Sequence, residues 1–497
     1  MMYKSCKKLR LILVFALFFS AFLFCCHVFA DISVDTMLEE GNIVGTRMRS
    51  LAAGKNLADW TETSDIKEIR RAEILPDNFV PNNANTVSTP ESRNPVYIFF
   101  NNENDAGILY FYSEADTIVM NPDSSFLFAF NTALTDISGL AGMDSSNVIS
   151  FYGAFLRDSS LSDLSPLVSW DTSSLEDMGV MFADDLSLTN ISALANWDTS
   201  SVTSMYALFL GARNLPDALA LRNWDTSNVT DMSSMFSSAV SLMFVDVSNW
   251  NTSKVTSMDC MFQVGDSWKG NGQLLEIIGL GNLDVSNVTD MTCMFYGAGQ
   301  MTTYDVASWD VSKVVSMNHM FCDNFKLRSL DLSAWDVSSL KTIFDMFDDN
   351  MNLRSIGDVS HWNTANLIDA GGWLNGAHAF VGDNNGVLDL SGWDTSNLKS
   401  AGEMFYYTSF HTIDLSGWTF DSITNDLWEG AGSGIYYETG NDTDEFKGLG
   451  SMFKDAKQLT TVYVSQSGLD SFNTVVENGV NTLDMWTSTK ADGFTVK

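Results

Sequence analysis

Apolar and polar positions follow a register that repeats about every 26 residues from Met143 to about Gly430. Each block carries Trp-Asp-Thr-Ser and then Met-Phe. Its Trp position, taken as 0, is filled by Met143, Trp170, Trp197, Trp224, Trp250, Leu283, Trp309, Trp335, Trp362, Trp393 and Trp418. Position −3 is Leu or Val, as in Leu167, Val247, Leu332 and Leu415, and −5 adds Val245, Tyr304, Leu330, Leu388 and Ile413. That alternation predicts one short strand per block with one face buried. Further on, +5 is Leu, Val or Ile, +8 mostly Met and +12 mostly Phe. Spacings of three and four predict a short helix, and the Ser at +3 (Ser173, Ser227 and Ser312 among them) suits the cap of its free N–H groups.

A block of this length cannot bury its apolar face alone and must stack on its neighbours. The fold class is therefore α/β, a leucine-rich-repeat-like solenoid of about 11 coils. Its strands pair in parallel because successive coils run the same way. Phase-locked recurrence makes the Met and Phe columns interior ladders rather than a copper or ligand box, and makes the Trp column an inward stack rather than a sugar platform.

The 497 residues divide into a signal peptide (1–30), an N-terminal capping region (31–125), the repeat solenoid (126–430) and a C-terminal loop and cap (431–497). Residues 1–30 carry Lys4, Lys7, Lys8 and Arg10, then an apolar run, then Val28-Phe29-Ala30, which predicts cleavage after Ala30. The run is short for a membrane anchor, and Phe24 and Cys25 are too bulky for lipidation at Cys26. No second apolar stretch has spanning length, and the chain ends without a sortase-type motif. In the capping regions, 96–100, 108–112 and 458–465 read as strands.

Charge then narrows the partners. Removing the leader leaves 23 basic residues against 62 acidic ones, a formal charge near −39. Such a surface repels phosphate backbones and anionic lipid, so no nucleic acid is expected, while cations and basic partners are attracted. Three cysteines remain, Cys260, Cys293 and Cys322, too few for a disulfide scaffold. They read as small core thiols, with a Cys260–Cys293 bridge between adjacent coils as the rival.

The segments 330–338 (LDLSAWDVS) and 224–236 (WDTSNVTDMSSMF), with the lead-in YFYSEADTIVMN at 110–121, resemble the BspA-like leucine-rich-repeat surface proteins of bacteria. The resemblance implies a secreted or surface-displayed adhesion protein without a catalytic mechanism, whose partners are proteins or glycans on host or neighbouring cells.

Candidate chemistry lies in two Asp columns. At −4 stand Asp246, Asp305, Asp331, Asp358, Asp389 and Asp414, flanked by inward residues and so expected to point outward. Carboxylates one strand apart repel by about 0.8 kcal/mol even at the dielectric of water, which calls for calcium, a basic partner or plain solvation to offset it. At +1, Asn251 and Asn363 replace Asp, which marks an Asx turn needing an oxygen rather than a charge. Breaks in the period at 263–279, 371–386 and 429–450 are candidate recognition loops. The last holds Asp442, Asp444 and Glu445, a faint likeness to a calcium loop. No enzyme motif is present, and His319, His361, His378 and His411 form no local ligand pair. A structural envelope or biofilm component held by divalent cations is the alternative function. A polysaccharide-cleaving solenoid is a more distant one.

Overall fold

A computed structural model describes residues 35–266, 270–382, 386–425, 448–486, 489, 491 and 493–497. The predicted signal peptide and the Asp442, Asp444 and Glu445 cluster lie outside them. Among the described residues no helix is long and apolar enough to cross a membrane.

The molecule is a parallel solenoid with short strands and short helices. Its spine is a ladder of parallel bridges at +7, running Asp123, Ser150, Asp177, Ser204, Asp231, Ser257, Asp290, Ser316, Thr342, Asp369 and Ser400. Here the structure corrects the helix expected after Ser +3. The main chain beyond the ladder bonds to the next coil at every second residue: Met178 N–H to Ser204 (3.3 Å), Val180 to Tyr206 (2.7 Å), Phe182 to Leu208 (3.0 Å) and Asp184 to Leu210 (2.7 Å). Between these rungs it folds into four-residue turns, Met181 N–H to Met178 O and Ala183 N–H to Val180 O. The turns that start at +8 and +12, such as Met178–Met181 and Phe209–Ala212, have positive φ at their third residue (Val180, Gly211), the type II pattern. Position +10 is left-handed in Gly153, Val180, Ala207, Ser234, Cys260, Cys293, His319, Asp345, Gly372 and Glu403. Stacked turns thus present Met and Phe inward at the spacings a helix would use.

The short helices lie instead before the Trp, as 3-10 turns at Ser165–Ser169, Ser192–Leu194, Leu219–Asn223 and Leu280–Asn282. Several coils also form the predicted strands there: β1 (Phe244–Asp246) pairs with β2 (Glu276–Ile278), and β3 (Val387–Asp389) with β4 (Thr412–Asp414), both in parallel.

Phe155, Phe182, Phe209, Phe236, Phe262, Phe295, Phe321 and Phe347 stack with centroids 5.5–5.9 Å apart and planes within 16°. The stack breaks at the next coil, where Trp373 and Leu374 replace Met and Phe, and it resumes from Phe405 to Phe453 at 5.6 Å.

At the N-terminal end, Tyr97–Asn101 and Ile108–Tyr112 pair with each other in antiparallel fashion, and Glu68–Arg71 joins them to the first coil through the Glu68–Asp136 bridge. At the other end Thr461–Val464 adds to β4 in parallel, and the amphipathic helix α1 (Gln466–Glu477) closes the stack, capped by the Ser465 hydroxyl on Gly468 N–H.

Candidate functional site

The conspicuous motif is a set of staples between coils. Each Trp indole N–H donates to the −3 carbonyl of the preceding coil: Trp170 to Leu140 (3.2 Å), Trp224 to Leu194 (2.9 Å), Trp335 to Val306 (2.9 Å) and Trp393 to Val359 (3.0 Å). The Thr hydroxyl donates forward, Thr172 to Asp198 O and Thr226 to Asn251 O, both at 3.0 Å. Asp at +1 accepts the Ser +3 N–H, at 3.0 Å for Asp171 and 2.9 Å for Asp225. That Ser closes an Asx turn and caps no helix. Trp224→Phe keeps most of the packing and removes one of the two hydrogen bonds to the Leu194 carbonyl, which still accepts from Trp197 N–H at 3.1 Å, so it is expected to cost about 0.5–1.5 kcal/mol in urea unfolding.

The −4 column works in the same way. Ser248, Ser333, Ser360, Ser391 and Ser416 donate their N–H to Asp246, Asp331, Asp358, Asp389 and Asp414 at 3.0–3.1 Å. Asp305 has Ala307 in the partner position and lies against Gly281. The column is not a uniform outward row. Asp305, Asp331 and Asp358 are exposed and Asp389 is half-buried, whereas Asp246 and Asp414 are buried.

Asp389 and Asp414 are register partners, but Ser329 pairs with Ser355, which sets Asp331 level with Gly357 and displaces Asp358 by one place. The repulsion is offset locally: Arg222 Nε lies 3.5 Å from Asp246, and Lys497 pairs with Asp414. The Ser333 hydroxyl and N–H hold the Asp331 carboxyl below its usual range, and the Ser360 hydroxyl and N–H do the same for Asp358. An Asx turn needs only an acceptor, so Asp331→Asn is expected to leave the melting temperature within a degree or two. Asp331→Ala should cost about 1 kcal/mol.

Of the candidate loops, the described parts of 263–279 (263–266 and 270–279) fold back on the coils. Asp266 is 2.7 Å from Arg213 and accepts from Asn271 at 3.0 Å, and Gly265 abuts Gly297 so closely that neither has room for a side chain. Much of 371–386 is ordinary coil, with Trp373, Leu374 and Phe380 fully buried. The departure from the period falls after Phe380.

Chemistry that the repeat does not explain gathers on the outer side of the stacked turns, at +7, +9, +10 and +13. At +7 Asp alternates with Ser or Thr, so that acids stand at least two coils apart. Doubling the spacing halves their repulsion. In the middle of this face lie Cys260, Cys293 and Cys322, free and buried in a cluster with Tyr296. The Cys293 thiol beside it, then burial, pushes the Cys260 thiol up, and burial does so for Cys322. Neither is a ready nucleophile.

Next to them His319 Nδ1 is 3.8 Å from Asp345 Oδ2, both residues buried. Burial lowers the His319 pKa and raises that of Asp345, whose carboxyl is pushed further by Asp348 and Glu403. Among the described residues no three His, Cys, Asp or Glu side chains are placed to share a metal ion.

The N-terminal end of the face is aromatic and open. Trp60 is 58% exposed and stands edge-on to Phe126 at 4.5 Å. Phe126 meets Tyr152 at 5.4 Å, and Tyr206, 40% exposed, follows two coils further on. Tyr152 leans over Gly179 where a Cβ would stand, and Phe126 over Gly153. For Tyr152 and Phe126 the next coil supplies glycine beneath the ring, whereas Tyr206 has Ser233 at the equivalent place. The sequence signal for Tyr152 and Tyr206 was that +9 changes residue type from coil to coil, whereas +8 is mostly Met and +12 mostly Phe.

Constant inward columns, parallel stacking and a variable outer face define a leucine-rich-repeat-like repeat protein. Within that class, the chain belongs to the family described as a Mycoplasma protein of unknown function, DUF285, which matches residues 123–220, 185–277, 271–387 and 358–430. A leucine-rich repeat protein from Bacteroides ovatus is similar over 76% of this chain and 84% of its own, with 12% identity and a TM-score of 0.31. The functional domain of InlJ from Listeria monocytogenes, which includes a cysteine ladder, is similar over 68% of each chain at 13% identity and a TM-score of 0.15. No curated protein matches.

Proposed function

We propose that this chain is a secreted or surface-displayed, non-catalytic binding protein whose turn face meets a macromolecule on a host surface, a neighbouring cell or a glycan. The observation that carries this reading is the contrast between faces. Inward positions largely repeat the same residues through the stack, whereas the outer turn positions differ coil by coil and expose Tyr206, with Trp60 of the N-terminal region exposed at the end of the same face. Large exposed aromatics on an otherwise polar surface mark contact sites.

The acids argue against catalysis. Most of those at −4 and +1 are committed to Asx turns, and the buried ones are enclosed between coils, away from any substrate. The likeness of the motifs to BspA-like proteins supports a surface role. Saturable binding of the purified chain to at least one member of a panel of matrix proteins, cells and glycans is the expected result. Uniformly unsaturable binding across that panel would refute the reading.

A further inference from the structure

The aromatic end of the turn face has the layout of a polysaccharide track, and we propose that it binds an extended β-linked amino-sugar chain carrying free, protonated amino groups. The inference rests on the binding reading above and names the partner of that face.

Spacing points to a polymer. Tyr152 and Tyr206 occupy the same position two coils apart, so their backbones are separated by roughly 9–10 Å along the ladder. That is close to the length of one disaccharide in an extended β-1,4 chain. Phe126 and Trp60 continue the row beyond Tyr152. A pyranose ring presents a flat C–H face that stacks on an aromatic side chain, and successive sugars would meet successive rings. An entering protein helix would need a groove, whereas this row lies along the surface, exposed at Trp60 and Tyr206 and half-buried at Phe126 and Tyr152, with Gly179 below the Tyr152 ring.

Charge selects among sugars. Asp177 is two residues from Gly179 and bonds its N–H at 2.9 Å, and Asp123 and Asp231 occupy the same +7 column to either side. Glu176 is exposed next to them. The neighbouring cation Arg157 is engaged by Glu62 at 3.0 Å and by Asp184 at 3.3 Å. A protonated amino group therefore meets carboxylates along the edge of the row and ring faces on it, where ammonium is attracted to the ring quadrupole. Uronic acids and sulfated chains meet only repulsion.

The test uses the purified chain and a fully deacetylated β-1,4-glucosamine hexamer, followed by calorimetry and by Trp fluorescence. Saturable binding is expected that weakens at least tenfold in Tyr206→Ala and in Trp60→Ala, is kept in Tyr206→Phe, and falls as salt rises from 0.05 to 0.5 M, roughly. Both residues are exposed, so unchanged melting temperatures will show that the variants fold. Should Tyr206→Ala unfold, Tyr206→Gln carries the same test.

The proposal is overturned if the N-acetylated hexamer or cellohexaose binds as tightly, or if polylysine binds as well and neither substitution weakens the hexamer. Binding of a matrix protein with no hexamer binding overturns this inference and leaves the general reading standing. No binding to anything overturns both.

Discussion

Phe295→Ala is expected to cost about 3–5 kcal/mol and to split a single urea transition into two. Phe295 is fully buried and stacks on Phe262 at 5.9 Å and Phe321 at 5.5 Å, with Tyr304 at 4.6 Å and Trp309 at 6.2 Å. Removing the ring loses its transfer free energy and leaves a cavity between rigid neighbours, which cannot collapse because their backbones are pinned by inter-coil hydrogen bonds. In a solenoid each coil contacts only the next, so one weak interface near the middle uncouples the two halves. Urea unfolding followed by Trp fluorescence and by far-UV circular dichroism checks this. Coincident transitions with a shift under about 1 kcal/mol would show that the Phe stack is not what couples the coils.

Acidification is expected to stabilise the protein. Burial raises the carboxyls of Asp259, Asp323 and Asp369 to about 6, with Asp290 adding to the shift at Asp259. An unfolded Asp titrates near 3.9, so between about pH 4 and 6 the folded chain holds protons that the unfolded chain releases. The stability these groups contribute is complete below about pH 4 and is lost as pH rises through about 6. Going from pH 7.5 to 5 recovers about 1 kcal/mol for each of them.

Carboxyls lowered by their Ser partners, such as Asp171, Asp225 and Asp394, act in the opposite direction, but only as pH falls below about 4. The melting temperature should therefore peak in the mildly acidic range. Asp369→Asn keeps the acceptor for Gly371 N–H and removes the charge, so it should raise the melting temperature at pH 7.5 and flatten the profile. A melting temperature that rises monotonically from pH 5 to 8 would refute this account.

The helix expected after each Ser shows where a linear pattern is ambiguous. Inward residues three and four apart fit one face of a helix, and they fit equally well successive turns that bulge and return to the core. Glycine was the distinguishing signal. Gly153 and Gly372 stand at +10, and Gly211, Gly297 and Gly376 at +14, the two phases where the backbone is left-handed. A continuous helix has no use for glycine at fixed phases, whereas a type II turn requires it or tolerates its substitutes at a cost of about 1–2 kcal/mol.

The Asp column at −4 was legible as a column but not as a function. Asp followed two residues later by Ser is the Asx-turn signature at −4 as at +1. Whether a given carboxylate faces water depends on neighbours such as Arg222 and Lys497, which are distant in sequence.

By itself the sequence determined the period, the parallel stacking, the inward Trp, Met and Phe columns and the Asx turn at +1, because identical coils repeat identical local interactions. Only the tertiary structure decided that the middle of each coil is stacked turns and that Trp60 joins Phe126 and Tyr152 in an open aromatic row. It alone enclosed His319 and Asp345 away from water. Those outcomes depend on which coil lies next to which, and inter-coil contact sets exposure, dielectric and ring spacing for residues that in the chain are a whole period or more apart.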